Sequence, residues 1–237
     1  MLLRTLAHAH HRTVTPSHLR TVMAVIAALL VMPHAAAASA DPAVMDDVHV
    51  TIRTYDITSL PSDTRQAALA TATEILRGAG VSVRWMACDA VFVRSAGDAC
   101  LAPLGRTELS VRFVRLPTPP GHQGAVALGY SLVDTRARTG ALATLYVDRV
   151  AGLAVNCNVD FGTLLGRAVA HEIGHLLLGT RDHTEKGLMQ ALWSRDAIRG
   201  STDARWVFTS PESRAMRDAV RVRAAEQYAA VQLGIPN

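Results

Sequence analysis

Lysine is almost missing. Of 24 basic residues only Lys186 is lysine, and we read the arginine excess as coding bias, not chemistry. No block of like charge stands out, so nothing argues for a nucleic-acid partner. No run reaches the roughly 18–20 apolar residues of a bilayer span, which excludes a polytopic membrane protein. No repeat at about 20–50 residues is found, nor any heptad run. Cysteine is scarce, with three residues, Cys88, Cys100 and Cys157. What the chain does have is apolar content: 49% of 237 residues, enough for one well-buried domain and too much for a disordered polar chain.

The amino end stands apart. Residues 1–40 hold Arg4, Arg12 and Arg20, no acid, and five of the ten histidines. An apolar run from Val22 to Met32 follows the basic part, and Ala38-Ser39-Ala40 closes it. That order is the pattern of a secretory signal peptide, with cleavage expected after Ala40. The expected mature chain, 41–237, then loses three arginines from a net charge of +4 and keeps +1. It should be secreted or periplasmic, with no stable membrane span after cleavage, and act as a monomer. Such a compartment permits disulfides. Cys88 and Cys100 lie close in sequence with Gly97 and Asp98 between them, so they are the expected pair. Closing that loop is worth roughly 3 kcal/mol by chain entropy. Cys157 is then left as a buried small hydrophobe or a free thiol.

Alternating stretches predict strands at Val48–Tyr55, Val81–Trp85 and Leu109–Leu116. Gly124–Val133 and Ala141–Val147 read as two more, while 88–107 reads as loop. Pro61-Ser62-Asp63 supplies a helix start, and the helix-forming run Ala67–Leu76 ends at Gly78-Ala79-Gly80. A longer helix spans Gly162–Leu178, with Leu165, Val169, Ile173, Leu176 and Leu177 as its core stripe and Gly179 as its stop. A loop covers Thr180–Leu192, and Pro211 opens a last helix to Ala230. Its Arg214, Arg217, Arg221 and Arg223 read as a solvated face. The order points to one α+β domain over 41–237.

The sharpest signal is His171-Glu172-Ile173-Gly174-His175 on the longer helix. Residues four apart share a helix face, so both imidazoles can reach one ion. Glu172 sits about 100° further round, placed as a base for the ion's water and not as a ligand. A catalytic zinc needs three protein ligands and an open position. His183 is the third candidate, with Asp182 and Glu185 as carboxylate rivals. A nitrogen set favours His183 and Zn2+. The same water and base would serve a non-peptide amide, and a zinc-binding or partner-binding protein with little turnover is the alternative outside enzymes.

These residues resemble the metzincin branch of zinc metallopeptidases. Its pattern is His-Glu-x-x-His-x-x-Gly-x-x-His with a methionine turn beneath the metal. Here Gly179 falls four residues after His175 and His183 eight after, so the loop is two residues longer. Arg181, at the usual third-ligand position, cannot ligate. Gly187-Leu188-Met189 supplies the methionine, which also reads as a plain core filler. The resemblance implies a mixed, mostly parallel sheet with an antiparallel edge strand, packed on helices that include the active-site helix. It implies hydrolysis of a protein or peptide substrate, with zinc polarising the carbonyl and Glu172 shuttling the proton. The substrate would pair with an edge strand, for which Gly124–Tyr130 is the candidate. Tyr130 or Tyr146 would help hold the oxyanion or simply pack, and Cys157 would block the zinc or simply be buried.

Overall fold

The computed structural model describes residues 49–89, 97–119, 126–200 and 205–234. The expected leader 1–40 with its cleavage site, residue Val48, and residues 120–125 with Gly124 lie outside the described residues.

Five strands form one sheet in the order β2-β1-β3-β5-β4. They are β1 His49–Asp56, β2 Ser82–Ala87, β3 Glu108–Val114, β4 Gly129–Asp134 and β5 Thr139–Tyr146. β1 runs parallel to both β2 and β3, and β3 parallel to β5; β4 is antiparallel to β5 and forms one edge. The mostly parallel sheet with an antiparallel edge is thus the observed architecture. Its centre explains the apolar alternation: Val50, Ile52, Leu109, Val111 and Leu145 are all buried. The strand bounds move by one or two residues from those read in the sequence, and β4 starts at Gly129. Cys88 and Cys100 form a disulfide that clips the connection from β2 to β3.

Two helices follow the expected pattern. α1, Ser62–Gly78, packs against β2 and against α3, Phe161–Leu178, which in turn packs on β5 and β4. The α1–α3 approach is close because α3 has no side chain where they meet. A Cβ on Gly166 would lie 2.4 Å from the Ala68 carbonyl oxygen, and one on Gly162 2.8 Å from the Ala67 Cβ. α3 begins with the Asp160 carboxylate accepting from the Thr163 N–H at 2.6 Å, a bond that also holds the Asp160 pKa below its ordinary value. It ends at Gly179, whose φ of 64° is the left-handed conformation a side chain would resist.

Three features correct the sequence reading. α2, Val147–Cys157, stands where only a strand end and a gap were expected. Its buried residues Val147, Val150, Ala154 and Cys157 do fall at helical spacing, but the segment has no side-chain cap and carries Gly152 inside it. A one-turn helix, α4 Arg195–Arg199, was too short to read. The arginines of the last helix, α5 Ser210–Gln232, do not form a solvated face throughout. Arg217 donates to the Ala79 carbonyl, and Arg223 donates to the carbonyls of Arg106 and Gly140. Long guanidinium stems on one helix face can reach carbonyl groups that a linear pattern does not show.

Candidate metal centre

The histidines come together because α3 is buried on nearly every side. His171, Glu172 and His175 are 8%, 7% and 6% exposed, whereas His183 sits in the exposed loop after α3. The His171 Nδ1 lies 2.9 Å from the Leu188 carbonyl oxygen, and the His175 Nδ1 2.9 Å from that of Thr180. A carbonyl only accepts, so each Nδ1 carries the proton and each Nε2 is left as a bare lone pair. Those two Nε2 atoms are 3.1 Å apart. Two lone pairs that close repel unless a cation lies between or beside them. Burial makes a proton a poor choice of cation: it pushes the His171 pKa down to about 4, and the His175 pKa down as well.

His183 joins them. Ligand atoms of His171, His175 and His183 all lie within 4.8 Å of one another. The rivals stand outside this cluster: the Asp182 carboxylate accepts from the Thr180 hydroxyl at 2.8 Å, and neither Asp182 nor Glu185 belongs to the group. Three imidazoles, two of them with their Nε2 lone pairs turned to one point, suit zinc in donor type and number, so the residues fit the metal that the sequence pattern implies.

Glu172 points at a different partner. Its Oε2 lies 2.6 Å from the Ser131 hydroxyl, which also lies 2.8 Å from the Glu172 carbonyl oxygen. Ionised, the carboxylate accepts the hydroxyl proton. Protonated, it donates to Ser131 Oγ, which passes its own proton to the carbonyl. Both states are satisfied without movement. Burial raises the Glu172 pKa to about 7, and the Ser131 bond opposes that rise.

The sequence reading missed both β4 residues around this carboxylate. A Cβ on Gly129 would fall 2.7 Å from Glu172 Oε1 and 2.8 Å from its Cγ, so the glycine is the space the carboxylate occupies. The available signal was faint: a glycine and a serine at inward positions of an alternating strand. Gly129→Ala is therefore expected to leave melting temperature and metal content near wild type. It should lower turnover by roughly 10²-fold through displacement of the carboxylate. Steady-state kinetics on metal-loaded protein decides it, and unchanged turnover would show that the carboxylate's position is unimportant.

The remaining expectations divide. Met189, 1% exposed, lies beneath α3: a Cβ on Gly174 would meet its Sδ at 2.7 Å and Phe208 at 2.6 Å. It is core filler, packed against α3. Trp193 sets its ring edge-on to His171 at 5.6 Å and donates to the same Leu188 carbonyl, at 3.3 Å. Tyr130 is exposed on the cleft wall, whereas the Tyr146 ring lies under Arg149 at 4.8 Å. Cys157 is buried in the core, away from the cleft, and is no ligand. Arg181 donates to the Val133 carbonyl at 3.1 Å. The cleft holds about 740 Å3 and opens onto the histidines between β4 on one side and α2 on the other.

No protein-family model matches the sequence, and no curated protein matches it. Among solved structures, the 1.5 Å crystal structure of archaemetzincin from Methanopyrus kandleri is similar at 14% identity and a TM-score of 0.49, over 74% of this chain and 97% of its own.

Proposed function

We propose that the protein is an exported, zinc-dependent peptidase that acts as a monomer on protein or peptide substrates. The observation that carries this reading is the pair of bare Nε2 atoms 3.1 Å apart, with His183 beside them and a cleft open above. His171, His175 and His183 would hold the zinc. A zinc so held polarises a carbonyl and makes hydroxide available near neutral pH. Glu172 takes the proton released by the attacking water, keeps it at Oε2 in contact with Ser131 Oγ, and returns it to the leaving amine. A carboxyl group with a pKa near 7 is matched to both halves of that exchange.

The peptide would lie extended along β4, which is the sheet edge and lines the cleft through Gly129, Tyr130 and Ser131. Export rests on the amino-terminal pattern and is compatible with the Cys88–Cys100 disulfide. No helix of the described residues is long and apolar enough to cross a membrane.

Metal content of three purified proteins tests the ligand set. Wild type should bind one zinc, Asp182→Ala should match it, and His183→Ala should lose affinity by about 10²-fold or more, as loss of one of three ligands implies. Full retention by His183→Ala with loss in Asp182→Ala would reverse the assignment. Zinc binding without cleavage of any member of a diverse peptide library would favour a binding protein over an enzyme.

A further inference from the structure

We infer that Glu212, on the far carboxy-terminal helix, is a positioning residue for the metal's third ligand, acting through Thr184. This rests on the three-histidine reading of the site. His171 and His175 are held rigidly, by one turn of α3 and by carbonyls at their Nδ1 atoms. His183 has neither advantage. It is exposed, and it lies eight residues beyond His175, in a loop two residues longer than the pattern it resembles. A longer loop has more conformations to lose before its ligand is in place.

The ties on either side of His183 are unequal. On one side, among the described residues, the hydrogen bonds of Asp182 go to Thr180, two residues earlier in the same loop. That bond ties the loop back to the end of α3, where the Thr180 carbonyl meets His175, and reaches no element beyond it. On the other side, Thr184 is fixed twice. Its N–H donates to the Met189 carbonyl at 2.9 Å, closing the turn. Its hydroxyl lies 3.0 Å from Glu212 Oε1 and 2.9 Å from the Lys186 carbonyl. One hydroxyl proton serves one acceptor at a time, and a carboxylate is the stronger. The other Glu212 oxygen accepts the Thr209 N–H at 2.7 Å in the capping box of α5. Glu212 is itself only 7% exposed, so it is a fixed post. Arg181 and Leu188 hold the two ends of the loop, on Val133 and Val207, but neither adjoins His183. The Glu212 bond is the long-range tie next to the ligand.

Thr184→Val removes that tie and leaves the α5 cap whole. Competition with a chromophoric chelator should then show zinc bound roughly tenfold more weakly, the lower end of what outer partners of metal ligands contribute. The melting temperature of the metal-free protein should fall less than in Glu212→Ala, since only the hydroxyl donor to Glu212 Oε1 and to the Lys186 carbonyl is lost. Thr184→Ser should restore affinity. Glu212→Ala should weaken zinc to the same degree while also lowering the metal-free melting temperature, because it removes the cap. The double variant should bind zinc no more weakly than Glu212→Ala. Wild-type affinity in Thr184→Val overturns the inference but leaves the three-histidine site standing. So does a loss of affinity that Thr184→Ser does not repair. Absence of zinc from the wild-type protein overturns the site and the inference together.

Discussion

Glu172→Gln is expected to keep its zinc and lose peptide hydrolysis by roughly 10²–10⁴-fold in kcat, the range for removing a general base. The substitution is close to isosteric. The amide oxygen can still accept from Ser131, and its size still fits the gap left by Gly129, so the fold has no reason to change. What disappears is an oxygen that can take up a proton and release it. The three imidazoles are untouched, which separates this variant from His171→Ala or His175→Ala. Those would remove a proposed ligand and, with it, a bond to the carbonyl of Leu188 or Thr180. Kinetics and metal analysis on the same preparation decide the matter. A fully loaded variant working within tenfold of wild type would remove Glu172 from the chemistry.

Gly166→Val should be strongly destabilising, at about 3 kcal/mol. The valine Cβ would fall 2.4 Å from the Ala68 carbonyl oxygen and 2.6 Å from the Thr71 Cβ. The first of these is backbone and cannot rotate away. α1 must then separate from α3, opening the core behind the helix that carries the histidines. Helical propensity partly offsets the clash, since valine is a few tenths of a kcal/mol better than glycine there. For a chain of this size the melting temperature should fall by roughly 6–12 °C. Gly78→Ala is the matched control, because a Cβ there meets nothing within 4 Å. It should melt at or slightly above wild type. A Gly166→Val protein melting like wild type would mean that the two helices do not pack as described.

The two helices flanking the sheet were legible because each buries a continuous stripe and is punctuated at its ends. Leu165, Val169 and Ile173 repeat every four residues and Gly179 stops the helix, whereas the Asp160 cap emerged only in the structure. The strands were legible for a similar reason, since Val50, Ile52, Leu109 and Val111 alternate with residues of another character. α2 was not, although Val147, Val150 and Ala154 carry helical spacing, because it follows β5 without a break and β-branched residues suit a strand equally well. Arg217 and Arg223 were misjudged because a helix of arginines looks the same in a sequence whether its partners are water or carbonyl oxygens of distant loops.

The chain by itself determined the identity and spacing of the histidine pair, the acid beside it and the helix that carries them. Local rules suffice there: a turn of helix converts a four-residue interval into a shared face. Only the folded molecule decided where His183 stands, which carbonyls set the tautomers, and that Gly129 and Ser131 from the edge strand enclose the Glu172 carboxylate. The enclosure of Glu172 joins residues 41 positions apart, and the other placements depend on how a loop folds back on the helix, which no local periodicity encodes.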